Sequence, residues 1–262
     1  QMGLNRPLMV QYGDWLLKAV QGDLGDSFTQ GNRSVVSLVA PALWRTMELA
    51  LLALVIALAI SIPAGVFAAR HVGTWVDQLT RLFALAGYSM PSYWLAILLM
   101  LLFAHHWHLL PAGGYVEPTR DFTQHLRHLV LPVTTVGVVM AAVLTRFMRA
   151  GMLEVLRLDY VRTAKAKGLA QRIVVYRHAL RNALLPFITV VGINFGALVG
   201  GMVVTEQVFA WPGLGWLIIQ SIVVRTYPVV QGAVLATAVV FVLVNLIVDL
   251  LYAFIDPRIT YG

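Results

Sequence analysis

Long stretches of this chain are apolar with hardly an interruption: residues 44–68, 80–104, 128–148, 184–205 and 229–255. A helix needs about 20 mostly apolar residues to cross a hydrocarbon core about 30 Å thick, at about 1.5 Å of rise per residue. Each stretch reaches that length. Because they are apolar nearly all round, length rather than periodicity excludes strands. The pattern predicts an all-α membrane protein, a polytopic helical bundle with five visible transmembrane spans. Pro63, Pro91 and Pro132 fall inside spans and are expected to kink them, since proline removes a backbone donor and clashes with the preceding turn. Gly192, Gly196 and Gly200 recur every four residues, which places them on one helix face and predicts close approach of another helix, within the chain or from a partner.

Composition agrees with a lipid-solvated surface. Of 262 residues, 59% are hydrophobic and 12% charged, about half the charged share of a soluble domain. The 19 Lys and Arg against 12 Asp and Glu would suit a nucleic-acid binder only on a polar surface; here the bases sit between apolar runs. Cysteine is absent, which rules out a disulfide framework and a thiolate metal site.

The distribution of Lys and Arg sets orientation. One side carries Arg6, Lys18, Arg33, Arg120 and Arg225, scattered among acidic residues. The other carries eleven, including the dense run Arg146, Arg149, Arg157, Arg162, Lys165, Lys167, Arg172, Arg177 and Arg181, with Arg70 and Arg258. The loop between the third and fourth spans is therefore expected in the cytoplasm, the N-terminal segment outside and the C-terminus inside. An exported segment of 43 residues needs a signal or a preceding helix. The chain starts at Gln1, and a six-span subunit with a further N-terminal helix is the expectation.

Residues 154–182 are too polar to span and too apolar for a solvated linker. Ala, Leu, Lys and Arg favour helix, Gly168 interrupts, and apolar residues return at Leu169, Ile173 and Tyr176. Two short helices joined at a glycine turn fit this pattern. They can lie on anionic lipid or dock an apolar side into a partner's groove.

The residue order favours docking. Tyr160-Val161-Arg162-Thr163-Ala164-Lys165-Ala166-Lys167-Gly168, followed by His178-Ala179-Leu180-Arg181-Asn182-Ala183-Leu184-Leu185-Pro186, resembles the coupling-loop signature of ATP-binding-cassette importer permeases. Arg162 stands where glutamate is common and Thr163 where alanine is, which is the form of the dipeptide, oligopeptide and nickel branch. Further resemblances lie in Gly3 to Leu8, Gly22 to Ser27, Leu110-Pro111-Ala112-Gly113-Gly114-Tyr115, Glu206 to Gly215, Tyr227 to Gly232, and Asn245 through Arg258. The resemblance implies an external segment over residues 1–43 and a permease domain over 44–262, with a cytoplasmic coupling loop at about 150–182.

It also implies partners: a second homologous permease subunit, two ATPase subunits that bind ATP and Mg, and an extracytoplasmic substrate-binding protein, all at a bacterial inner membrane. The chain lacks a Gly-x-x-x-x-Gly-Lys-Ser/Thr loop, so energy is expected from another polypeptide and no cofactor is expected on this one. Tyr160, Arg162, Thr163, Ala164, Lys165, Ala166, Lys167 and Gly168 are then the coupling residues. Gly168 is assigned the turn, because glycine takes backbone angles closed to other residues. Peptides, including glutathione, are the implied cargo, with nickel as the alternative.

Ionisable residues at membrane depth invite functional assignment. Glu48 and Asp249 qualify, with interhelical hydrogen bonding or pairing to Arg45, Arg81 or Arg146 as the plainer role. Glu206 sits beside a turn at Trp211, Pro212 and Gly213 that is expected to cap the pathway from outside, since proline and glycine fix a turn and tryptophan favours the interface. His105, His106, His108, His125 and His128 suit nickel by chemistry, yet no carboxylate stands among them at ligand spacing. His-Glu-x-x-His and Gly-x-Ser-x-Gly are both missing, which argues against an intramembrane enzyme. No internal repeat argues for an ion-coupled secondary transporter, the remaining rival.

Overall fold

The computed structural model describes residues 7–27 and 33–255, with the side chains of Asp249 and of residues 251–255 left outside the description. An exposed helix α1 (Leu8–Val20) leads to a two-residue antiparallel bridge that pairs Asp26 with Ser34 and Ser27 with Arg33. The long helix α2 (Val35–Arg70) follows, then α3 (Trp75–Ser89) and α4 (Ser92–Leu99), the last continuing as a wider π-helical stretch, Met100–His106. Next come α5 (Phe122–Val155), the short α6 (Asp159–Ala166), and α7 (Gln171–Ile173), which runs through a π-helical Val174–Ala179 into α8 (Leu180–Gly201). The chain closes with α9 (Val203–Val208), α10 (Leu214–Val223) and α11 (Tyr227–Ile255). Among the described residues four helices are long and apolar enough to cross a membrane, or five with α3 and α4 taken as one broken span.

The α2–α5 pair forms the spine. Buried residues of α2 recur as Val35, Val39, Ala42, Thr46, Leu49, Ala53, Ala57, Ser61 and Gly65. That row follows helical spacing, and its later members are small. Ala and Gly let backbones approach, so packing drives association where lipid offers no hydrophobic gain. A Cβ on Gly137 of α5 would stand 2.9 Å from Ile56 and 3.1 Å from the Ala53 carbonyl oxygen, and one on Gly65 would meet Met148 at 2.6 Å.

Two expectations change in detail. The first long helix starts at Val35 rather than 44, because Val35, Val39 and Ala42 pack against Leu214, Leu217, Val229 and Ala233. One face of this extra helix packs on protein while Val36, Ser37, Ala40 and Pro41 stay exposed, so it lacks the unbroken apolarity that marks a lipid-facing span. The second stretch, 80–104, is no single kinked helix. Its halves meet at 103° across Met90 and Pro91. Met90 is extended, with ψ 124°, as the residue before proline prefers. Pro63 and Pro132, by contrast, lie within helices that continue through them.

Candidate functional site

Two regions gather the residues singled out in the sequence. The first lies where the Thr46 level of α2 meets the loops around α5, α9 and α10. The Thr46 hydroxyl donates to Glu206 Oε1 at 2.5 Å and accepts the Leu214 N–H at 2.8 Å. The Trp216 N–H donates to Glu206 Oε2 at 2.9 Å. Glu206 and Thr46 thereby satisfy orphan donors in the first turn of α10, where the helix dipole favours a negative charge. The carboxyl is fully buried, which raises its pKa, while Thr46 and the N–H groups of Trp216 and Gly215 pull it back down.

Gly213 abuts this carboxyl: a Cβ there would overlap Glu206 and lie 2.5 Å from the Thr46 hydroxyl. Trp211 is fully buried and donates its indole N–H to the Arg45 carbonyl at 3.1 Å. Interior packing, not the expected interfacial perch, therefore fixes this tryptophan. Its ring meets Tyr115 edge-on at 4.8 Å, and the Arg45 guanidinium covers the Tyr115 ring at 4.6 Å while contacting the Pro212 carbonyl at 3.4 Å.

Glu48 finds its partner in a histidine and not in Arg45, Arg81 or Arg146. His125 Nε2 lies 2.7 Å from Glu48 Oε1, and Nδ1 lies 2.7 Å from the Val116 carbonyl oxygen. A carbonyl has no proton to give, so Nδ1 donates. Sequence reasoning missed Thr46, Tyr115 and His125 as members of this cluster. The Leu110–Tyr115 motif held the signal for one of them. Gly113 passes so close to Phe209 that a Cβ would be 2.5 Å from its carbonyl oxygen, and Gly114, at φ +99°, donates to that oxygen at 2.8 Å. Two motifs distant in sequence thus form one knot. Among the described residues no three His, Asp or Glu side chains are grouped to hold a metal ion.

The second region is α6 and the turn after it. Val161 and Ala164 face the bundle, while Arg162, Thr163, Lys165, Ala166 and Lys167 face outward. Arg162 approaches Asp159 at 3.5 Å within the same helix, both well exposed, an arrangement worth at most about 1 kcal/mol. Tyr160 anchors the helix: its hydroxyl accepts from the Asn182 amide at 2.7 Å and donates to the His178 carbonyl at 3.4 Å. Gly168 closes α6 in the left-handed region, φ +77°, its N–H donating to Lys165. The second of the two short helices expected here is instead the start of the long segment Gln171–Gly201. Beside it, Arg70, Arg172 and Tyr176 line a cavity of about 470 Å³.

The remaining candidates are dispersed. Gly192 backs onto Val248 and Gly196 onto Phe241, both on α11, whereas a Cβ at Gly200 meets nothing within 4 Å. Asp249 lies on α11 with its side chain outside the description. Asp77, which the sequence did not single out, is fully buried and takes Arg149 in a two-pronged pair at 2.6 and 3.0 Å, with Arg81 at 2.9 Å and the Gly73 N–H at 3.1 Å.

With this geometry in place, comparison with known proteins is decisive. Residues 61–261 match the model of the binding-protein-dependent transport system inner membrane component family. The chain belongs to that family. It is a multi-pass inner-membrane permease component and not itself an enzyme. The dipeptide transport system permease protein DppB of Alkalihalophilus pseudofirmus is 41% identical, over 100% of this chain and 84% of that protein. The glutathione transport system permease protein GsiC of Escherichia coli O6:H1 is also 41% identical, over 100% of this chain and 82% of its own length. A solved inward-facing structure of the MetNI methionine ABC transporter superposes with TM-score 0.67 at 17% identity, covering 83% of this chain and 95% of that one. At that identity the match speaks for the fold.

Proposed function

We propose that this permease moves peptides, glutathione among them, into the cell, driven by ATP bound and hydrolysed on two partner ATPase subunits. A second similar permease completes the membrane channel, and an extracytoplasmic binding protein delivers cargo. The observation that carries this reading is the build of α6. Its inner face is packed, Tyr160 ties it to α8, and its outer face is cationic and ends at a left-handed glycine beside the half-exposed Leu169, Ile173 and Tyr176. A short helix with apolar and charged groups left facing out, rigidly joined to a span, suits docking into a partner's groove. ATP then acts as a ligand with different affinity for two arrangements of the complex, and α6 links its site to the spans.

In this reading Arg162, Lys165 and Lys167 meet acidic groups of the ATPase, and the Glu206 knot at the far end closes the pathway outside. The names of the relatives, dipeptide and glutathione permeases, support the cargo class. The test is uptake into liposomes holding both permeases and the ATPases, supplied with the binding protein and labelled dipeptides, glutathione or nickel. ATP-dependent uptake of peptides is expected. Uptake by this chain alone under an ion gradient, or of nickel alone, would contradict the reading. Cysteines placed at Gln21 and Lys167, in a chain with none of its own, should label from opposite faces of the membrane, Gln21 from outside.

A further inference from the structure

Lipid cannot satisfy unpaired backbone groups, so non-helical backbone at membrane depth persists only where protein buries it or water reaches it. The break between α3 and α4 is such a place. A Cβ on Gly87 would overlap the Ala142 side chain, and Ala142 belongs to the apolar run 129–145 of α5. Just beyond Gly87 the chain turns through 103°. The Met90 N–H returns to Ala86, Pro91 has none to give, and the carbonyl oxygens of Gly87, Tyr88 and Ser89 accept no backbone N–H among the described residues. Ser89 and Pro91 are exposed.

A second, independent observation lies opposite. Arg146 follows directly on that apolar run, and its side chain is exposed. The guanidinium sits 5.4 Å from the centre of the Tyr88 ring and 5.3 Å from that of Phe147. Helical side chains lean toward the preceding turn, and Tyr88 holds this one beside the break. Asp77, the buried carboxylate at this end of α5, is engaged by Arg149 and Arg81. Among the described residues no carboxylate pairs with Arg146. A cation placed where the apolar run of a span ends belongs in water or opposite an anion.

We propose that the α3–α4 break, Tyr88 and Arg146 line the translocation pathway, and that Arg146 receives the carboxylate of passing cargo. This rests on the peptide reading, since every unmodified peptide carries a C-terminal carboxylate whatever its side chains. The guanidinium offers that group a forked, charge-assisted pair of hydrogen bonds. An exposed aqueous site releases it again, as transport requires.

The absence of native cysteine permits a direct test in the reconstituted full complex. Ser89→Cys should react with charged methanethiosulfonates, the anionic reagent faster than the cationic one by roughly tenfold through attraction to Arg146. Arg146→Gln in that background should abolish the preference. Failure of both reagents, as lipid contact or a lipid headgroup seated on Arg146 predicts, would overturn the pathway assignment. This arm reads the lining without reference to cargo. For the carboxylate, transport per cargo-loaded binding protein is compared for a dipeptide and its C-terminal amide. Arg146→Gln should slow the free acid at least several-fold, leave the amide unchanged, and be largely rescued by Arg146→Lys. An equal fall for both cargoes, as expected if Arg146 pairs with the second permease, would overturn the carboxylate role, as would absence of peptide transport in the unmodified complex.

Discussion

Glu206 occupies the space that a side chain on Gly213 would need: a Cβ at that glycine would overlap the Glu206 carboxyl. The glycine is thus dictated by contact, and the φ of −91° shows that backbone freedom is not the reason. Gly213→Ala should destabilise the folded chain by about 1–3 kcal/mol through overpacking. Gly192→Ala, aimed at Val248, should cost a similar amount. Gly200→Ala, with open space around it, should stay within about 0.5 kcal/mol. Unfolding titrations of the three purified variants in detergent check the ranking, and equal stability of all three would show that these contacts are not made.

Burial raises the Glu206 pKa above its unfolded value, so the folded state holds the proton more tightly. The stability this contributes is fully present below the unfolded pKa and is lost as pH rises through the folded pKa. The thermal midpoint of the native chain, measured against Glu206→Gln, should therefore decline from acid toward neutral pH. A difference that grows with pH would mean that the hydrogen bonds from Thr46, Trp216 and Gly215 outweigh burial.

Asp77 ties the start of α3 to the end of α5 through Arg149. Removing one member of a buried ion pair leaves the other charge uncompensated, at about 3–5 kcal/mol. Asp77→Asn should cost that order, and Asp77→Asn with Arg149→Gln clearly less than the sum of the two single changes. Additive losses would show that the pair carries no coupling.

The spans were legible from length and apolarity alone, and the positions of Gly168 and Gly213 from residue order. The α2–α5 seam was not. Its row Ala53, Ala57, Ser61, Gly65 is hidden when neighbouring positions are equally apolar, although small residues four apart would have revealed it. The break at Pro91 was legible as a kink but not in its size, because proline fixes the local angles while the 103° turn depends on what α3 and α4 pack against. Glu206 stood out in the sequence, but its partners Thr46 and Trp216 lie 160 and 10 residues away, and only the fold brings Thr46 to it.

Coupling through α6 is the central claim, and Gly168 is where it can be tested without touching a span. The φ of +77° is closed to proline, which would also delete the N–H bonded to Lys165 and push Lys167 toward extended angles. Asparagine tolerates the left-handed region and serves as the control. The measurement is co-purification of the ATPase subunits with the Gly168→Pro and Gly168→Asn permeases, alongside cargo-stimulated ATP hydrolysis in liposomes. Membrane insertion should survive in both, with ATPase association and stimulated hydrolysis falling together in the proline variant and largely retained with asparagine. Undiminished ATPase binding and stimulation in Gly168→Pro would contradict the assignment of α6 as the coupling helix.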